Sequence, residues 1–189
     1  RIVRARASPL SGYARITMDS VRTPAVIVMG VSGSGKTTVA AQLAERLGWA
    51  MVEADDHHPR PNVEKMSRGE ALTETDREPW LRSLGDAVAA ARRGGKSERG
   101  GVVASCSALT RRSRDLLRER AGGDPVFVLL EVSEAELERR VAGRSHFFPP
   151  GLLRSQLETL ERPGPGEPGC VTVSGEGPTA EVVGRLLSA

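Results

Sequence analysis

The chain of 189 residues contains few cysteines, few aromatic residues and almost no lysine. Its two cysteines, Cys106 and Cys170, are too few for a disulfide framework, and this favours a reducing, cytoplasmic compartment. No apolar run approaches the roughly 18–20 residues that span a bilayer, so we expect no membrane partner. There is also no internal repeat and no long Gly/Ser linker. With 39% hydrophobic and 27% charged residues, the composition predicts one globular domain.

The positive charge of the chain is concentrated near its start. Residues 1–24 hold five arginines and one aspartate, whereas residues 25–189 have a net charge of −1. A basic body is typical of nucleic-acid-binding proteins, so this nearly neutral body favours no nucleic-acid partner. We expect residues 1–24 to be a disordered or extension tail, with Met18 as a possible natural start. Residues 25–189 are then expected to form a single domain.

Short apolar runs alternate with amphipathic segments along residues 25–189. Strands are predicted at 25–29, 49–52, 102–105, 126–130 and 170–173. Helices are predicted at 37–47, 62–67, 73–93, 110–120, 134–143, 152–160 and 179–187. Thr73 and Asp76 form a helix-start signature for the third of these helices. The alternation indicates an α/β domain in which a five-stranded parallel sheet is covered by helices on both faces.

A phosphate-binding motif lies between the first predicted strand and the first predicted helix. Residues 30–37 read Gly-Val-Ser-Gly-Ser-Gly-Lys-Thr and match G-x-x-x-x-G-K-[ST] at every fixed position. The glycines allow backbone N–H groups to point at phosphate oxygens, and the helix N-terminus adds partial positive charge there. The residues predicted to bind the nucleotide are Gly30, Val31, Ser32, Gly33, Ser34, Gly35, Lys36, Thr37 and Thr38. The motif predicts a three-layer α/β/α P-loop NTPase fold of the nucleoside-monophosphate-kinase type.

Two residue types support this interpretation. Lysine occurs only at positions 36, 65 and 96, against 24 arginines, so Lys36 stands out as a retained point charge for the β- and γ-phosphates. The Thr37 hydroxyl is the expected Mg²⁺ ligand. A GTPase needs an Asn-Lys-x-Asp segment to read guanine. The only asparagine is Asn62, which Val63 follows, so the sequence does not predict a GTPase.

Carboxylates follow the second predicted strand, where an acceptor would meet the phosphate site. If the strand continued through Glu53 and Asp55, both side chains would point to one side. One could accept a proton from an attacking hydroxyl while the other assists Mg²⁺. A solvated acidic turn fits the same residues equally well.

Several blocks of the sequence, in this order, resemble the gluconokinase family of small P-loop kinases. They are residues 29–36, residues 54–59 with Asn62, Lys65, Met66 and Gly69, Leu72 with residues 76–77 and 79–81, residues 106–109 with Arg114 and Asp115, residues 146–148, and Gln156 with residues 158–161. The resemblance covers residues 26–161. It implies an enzyme that uses ATP and Mg²⁺ to phosphorylate D-gluconate at O6, and it suggests a homodimer.

The resemblance also implies roles for individual residues. Asp55 would orient and deprotonate the sugar-acid hydroxyl, with Glu53 beside Thr37 at the Mg²⁺ ion. Arg77 and Arg114 are the candidate partners of the gluconate carboxylate, with His58 and Lys65 as further donors. The lid around residues 140–150 would bring Arg140, Arg144 and His146 over the nucleotide and substrate. Cys106 has no evident base beside it, so we interpret it as a packing residue at a strand end.

Three positions depart from the family pattern: Glu53 replaces an expected Asp, the spacing between Arg144 and His146 is one residue short, and residues 173–176 lack an early acidic residue. One alternative is a shikimate-kinase-like enzyme, although residues 106–108 lack the expected Gly-Gly-Gly turn. Another is a regulatory or nucleic-acid-associated ATPase, which the neutral body disfavours.

Overall fold

A computed structural model describes residues 3–7, 14–18, 24–94, 100–143 and 150–187. Its main sheet contains five parallel strands in the spatial order β4-β5-β3-β6-β7. These strands are β3 (Ala25–Met29), β4 (Ala50–Glu53), β5 (Val102–Cys106), β6 (Val126–Glu131) and β7 (Cys170–Ser174). Since all five run in the same direction, their carboxyl ends and the loops that follow them lie at one edge of the sheet.

Seven α-helices are found in the described part of the chain. They are α1 (Lys36–Leu47), α2 (Arg60–Ser67), α3 (Glu74–Gly94), α4 (Arg111–Arg120), α5 (Glu134–Ala142), α6 (Pro150–Thr159) and α7 (Thr179–Leu187). The predicted start signature of α3 is present, because the Thr73 N–H donates to Asp76 Oδ2 at 2.7 Å and the Asp76 N–H donates to Thr73 Oγ1 at 3.3 Å. No helix among these residues is long and apolar enough to cross a membrane.

Helices cover both faces of the sheet because side chains alternate between the faces along each strand. Ile27 and Met29 of β3 pack with Trp80 and Leu84 of α3. Val26 and Val28 belong to the core on the opposite face. The helical residues of that core are Val39, Ala40, Leu43 and Ala44 of α1, and Val182, Val183 and Leu186 of α7. The three-layer α/β/α fold is therefore confirmed, and each predicted helix and strand of residues 25–189 is present.

The structure differs from the sequence prediction at the end of β4. The strand that leads to the acidic residues stops at Glu53, and Ala54–His57 form a 3₁₀ turn, so the idea that Glu53 and Asp55 share one side of a continuous strand is wrong.

Within the expected tail, Val3–Ala7 (β1) and Ala14–Met18 (β2) pair as an antiparallel ribbon separate from the main sheet. These ten residues of the expected tail therefore have secondary structure.

Candidate active site

The phosphate-binding loop joins β3 to α1 at the carboxyl edge of the sheet. Gly33 and Gly35 adopt φ values of +86° and +88°, which side-chain-bearing residues rarely adopt. A side chain at Gly30 would also meet Ser34 Oγ at 2.8 Å. Lys36 Nζ crosses back over the loop and donates to the Val31 carbonyl at 3.5 Å. The motif thus has the curved backbone and the lysine position that a polyphosphate cradle requires.

Helix α5 contacts this loop through Arg140. Arg140 of α5 donates from Nη1 to the carbonyls of Gly33 and Ser34 at 3.5 and 3.4 Å and from Nη2 to Gly175 O at 3.1 Å. Its Nε donates to Glu136 Oε1 at 2.7 Å. Arg140 therefore links the phosphate loop to the loop after β7.

A cleft of about 410 Å³ opens beside the same loop. Its lining residues come from the phosphate loop and α1, from α5 and from the loop after β7; among them are Ser34, Thr38, Arg139, Arg140, Gly177 and Pro178. Because the cleft begins at the phosphate loop and lies next to Arg140, it can accommodate the nucleoside end of a bound nucleotide. Thr37 and Thr38 are both exposed in the first turn of α1.

Glu53 and Asp55 occupy different environments at the end of β4. Glu53 Oε1 accepts a hydrogen bond from Ser105 Oγ and another, at 3.4 Å, from the Asp55 N–H. Glu53 Oε2 is buried and has no hydrogen-bond partner among the residues that the structure describes. The Asp55 side chain, in contrast, is 77% exposed. Glu53 is thus a fixed carboxylate with one uncommitted oxygen, while Asp55 is open to an incoming substrate.

The packing of His58 and Trp80 positions the turn that carries Asp55. Buried Trp80 donates from Nε1 to the Ala54 carbonyl at 2.7 Å, and the His58 ring stacks on it with 4.2 Å between centroids. Burial lowers the pKa of His58, and the nearby Asp55 carboxylate opposes that shift. His58 is therefore neutral at pH 7, and its Nε2 lies 3.9 Å from Asp55 Oδ1. Its predicted contribution is accordingly a hydrogen bond rather than a charge.

Cys106 lies where β5 ends, between the phosphate loop and the carboxylates. Burial raises the pKa of its thiol to about 12, and the charges of Asp55 and Glu53 add to the increase while Lys36 opposes it. A thiol with this pKa is not a nucleophile at pH 7, so its interpretation as a packing residue is confirmed. In the parallel sheet Cys106 lies beside Met29, which precedes the phosphate loop, and the adjacent Ser105 lies beside Glu53.

Lys65 and Arg77 already have acidic partners. Lys65 Nζ lies 2.6 Å from Asp76 Oδ2, and this contact, with the Thr73 hydrogen bonds, holds the pKa of Asp76 far below its usual range. Arg77 Nη1 lies 2.8 Å from Glu74 Oε1. Both cations retain further N–H groups that a substrate could use.

Arg114 does not match its predicted role. Its side chain is 1% exposed, and it forms a two-bond pair with Glu167, from Nε at 2.7 Å and from Nη2 at 2.8 Å. The Nη1 group donates to the carbonyls of Ala108 and Leu109. With its donors committed to protein groups, Arg114 is a structural residue that holds the loop after β5. The prediction that it binds a substrate carboxylate is corrected.

Two predicted site residues are not described by the structure, and two residues that contact the site were not predicted. Arg144 and His146 fall outside the described residues. Gln156 and Trp80 both contact the site backbone, although the sequence alone assigned them no role. Their positions in the family-like blocks were the only available signal.

Comparisons with known proteins agree with the geometry. A protein-family model described as "AAA domain" matches residues 26–163. A gluconokinase of Gluconobacter oxydans (strain 621H) is 50% identical over 154 residues, which are 80% of this chain and 82% of that protein. The thermoresistant gluconokinase of Escherichia coli (strain K12) is 42% identical over 85% of this chain and 90% of its own length.

A solved structure gives the same result. The crystal structure of a gluconokinase from Sinorhizobium meliloti 1021 superposes with a TM-score of 0.76 at 45% identity, covering 89% of this chain and 92% of that one. High identity over most of both chains and a matching fold lead to one conclusion. The chain belongs to the gluconokinase family of P-loop kinases.

Proposed function

We propose that this protein transfers the γ-phosphoryl group of ATP to O6 of D-gluconate, yielding 6-phosphogluconate and ADP. The observation that carries the proposal is the position of an exposed carboxylate, Asp55, in the turn after β4, at the edge of the parallel sheet that also carries the phosphate loop. The names of the gluconokinase relatives support gluconate as the acceptor, and the choice of O6 rests on the family resemblance.

The phosphate loop binds and orients the triphosphate. Backbone N–H groups and the N-terminus of α1 offer partial positive charge, and the Lys36 ammonium neutralises the β- and γ-phosphates. The cleft beside Thr38 and Arg140 takes the nucleoside. Phosphoryl transfer depends mainly on positioning and charge neutralisation, which these groups provide without a covalent intermediate.

Asp55 acts on the acceptor. Its carboxylate accepts the proton of the O6 hydroxyl as O6 bonds to the γ-phosphorus, and the bond from that phosphorus to the departing ADP oxygen breaks. Trp80 holds the Asp55 turn through Ala54, and the His58 ring, with its Nε2 3.9 Å from Asp55 Oδ1, lies beside the same turn. Lys65 and Arg77 remain the proposed partners of the gluconate carboxylate.

The residues at this edge fit a magnesium ion. Mg²⁺ prefers oxygen ligands and is held by one or two protein groups together with substrate phosphates. The unpartnered, buried Glu53 Oε2 and the exposed Thr37 hydroxyl are such groups. When bound, the ion neutralises charge on the β- and γ-phosphates.

The proposal has three further parts. Arg144 and His146 complete the lid, the protein acts in the cytoplasm, and it forms a homodimer.

An acceptor screen tests the proposed reaction. ADP release is coupled to NADH oxidation with ATP, Mg²⁺ and, in turn, gluconate, glucose, shikimate or a nucleoside monophosphate. We expect kcat/KM for gluconate to exceed every other value by at least about 100-fold, because a site built for a carboxylate and several hydroxyls rejects acceptors that leave its polar groups unpaired. Equal turnover of another acceptor contradicts the proposed substrate and leaves the kinase class intact.

A further inference from the structure

One contact to the phosphate loop comes from a helix distant in sequence. The Ser32 N–H donates to Oε1 of Gln156, on α6, at 2.7 Å. In a phosphate loop such N–H groups are the usual anion donors. Here one of them is bound by a neutral side-chain oxygen instead.

The same helix also contacts the loop through apolar packing. Val31, which precedes Ser32, is 4% exposed and packs in a small cluster with Leu109, Leu137 and Leu153. Leu157, one residue beyond Gln156, is partly buried against that cluster. A side-chain contact at Val31 and a backbone contact at Ser32 therefore tie the first half of the loop to α6.

The segment that follows α6 reaches the acceptor side of the sheet as well. The Glu161 N–H donates to Leu109 O at 2.9 Å, and Glu161 Oε2 accepts from the Arg111 N–H at 2.6 Å. Leu109 follows β5, whose last two residues pair with Met29, just before the phosphate loop, and with Glu53. One continuous segment, from Gln156 to Glu161, thus contacts both the nucleotide loop and the loop after β5.

We propose that Gln156 is a positioning residue that sets the conformation of the phosphate loop through the Ser32 amide. A peptide plane held at its N–H cannot rotate, so the Gln156 oxygen fixes the direction of the preceding carbonyl, Val31 O. That carbonyl is the acceptor of the Lys36 ammonium. Gln156 therefore acts on the triphosphate through the loop and through Lys36, without contacting the acceptor alcohol.

Three variants test this role, which rests on the proposed function only for its kinetic readout. Gln156→Met removes the oxygen and preserves the length of the side chain, whereas Gln156→Glu retains an acceptor and adds a negative charge. Arg154→Gln is the matched control on the same helix, since Arg154 is 82% exposed and pairs with Glu158. ATP dissociation constants come from isothermal titration, so they are measured whether or not gluconate is the substrate.

We expect Gln156→Met to weaken ATP binding by about threefold to tenfold, the range for one lost hydrogen bond. The KM for gluconate should change less than twofold. Gln156→Glu should bind ATP weakly at low salt and recover at about 0.5 M salt, where its charge is screened and its acceptor remains. At that salt it should bind more tightly than Gln156→Met.

The melting temperature of each variant separates positioning from mere packing. The proposal is overturned if Gln156→Met binds ATP as Arg154→Gln does, even with a lower melting temperature. It is also overturned if the KM values for ATP and gluconate rise by the same factor. Should Gln156→Met not fold, the salt dependence of Gln156→Glu decides: ATP binding that does not recover with salt contradicts the proposal.

Discussion

Asp55 and its neighbour Asp56 are both exposed carboxylates in the same 3₁₀ turn. They therefore share their chemistry and differ only in position. Of the two, Asp55 is the one held at the end of β4, where its N–H donates to Glu53 Oε1 and its Oδ1 lies 3.9 Å from His58 Nε2. We predict that Asp55→Asn lowers kcat by about 100-fold or more, the range for loss of a general base, with ATP affinity retained. Steady-state kinetics and ATP titration measure the two effects. Asp56→Asn is the control, and equal losses in the two variants would contradict the assignment of the base.

Lys36 is expected to affect both binding and turnover. Lys36→Ala removes the ammonium from the phosphate loop, so we predict a loss of ATP affinity of at least about tenfold together with a large fall in kcat. Arg46→Ala, an exposed change in the last turn of the same helix, should leave both unchanged. Normal ATP affinity in Lys36→Ala would mean that the triphosphate lies elsewhere.

The Arg114–Glu167 pair should stabilise the fold in a pH-dependent manner. The hydrogen bonds from Arg114 hold the pKa of Glu167 at about 2, below its ordinary value of 4.5. Because the folded-state pKa is the lower one, this stabilisation is present above about pH 4.5 and is lost as the pH falls towards 2. Glu167→Gln leaves a buried guanidinium without its charge partner and should cost about 3–5 kcal/mol at pH 7.

Urea unfolding at pH 7, 5 and 3 checks that dependence. The difference in unfolding free energy between wild type and Glu167→Gln should shrink as the pH falls. Glu131→Gln is the control, because Glu131 forms an exposed pair with Arg162. A pH-independent difference would show that the charge of Glu167 is not what stabilises the fold.

The contact between α3 and the 3₁₀ turn connects helix packing to catalysis. Trp80→Phe keeps the ring in the core and removes the Nε1–H donor, which leaves the buried Ala54 carbonyl unpaired. We predict a loss of about 1–3 kcal/mol in stability and a severalfold lower kcat, with the KM for ATP unchanged. Trp49→Phe, before β4 and against the other face of the sheet, should not alter kcat. A rise in the KM for ATP in Trp80→Phe would contradict this division of roles.

The local sequence pattern predicted the helices and strands well, because the residues of each element themselves carry the pattern that identifies it. The apolar run of Ala25–Met29 is buried on both faces, and Thr73 with Asp76 forms the expected helix start. The sequence left a continuing strand and an acidic turn after Glu53 equally open, because four residues are too few for the sequence pattern to distinguish a 3₁₀ segment from a strand. The geometry of the turn depends on Trp80, a residue contributed by another element.

Long-range partners limited the prediction of the site. The phosphate loop could be recognised because its chemistry lies within eight consecutive residues. Arg114 was misassigned because burial and the partner Glu167 come from a distant segment, and nothing near Arg114 distinguishes it from exposed arginines of α4. The role of Gln156 was hidden for the same reason, since its contact spans 124 positions of sequence.

The parallel sheet brings these parts together. With every strand ending at one edge, the phosphate loop after β3, the Asp55 turn after β4 and the loop after β5 become neighbours. The arrangement predicts a ternary complex in which a nucleotide and a small alcohol bind side by side. A direct transfer between them follows from that geometry.

The most direct measurement identifies the atom that receives the phosphoryl group. Purified protein is incubated with ATP, Mg²⁺ and D-gluconate, and the product is examined by ³¹P–¹H correlation NMR. The account predicts a product phosphorus coupled to the two methylene protons at C6, with stoichiometric ADP. Coupling to a single methine proton, or release of inorganic phosphate alone, would contradict it.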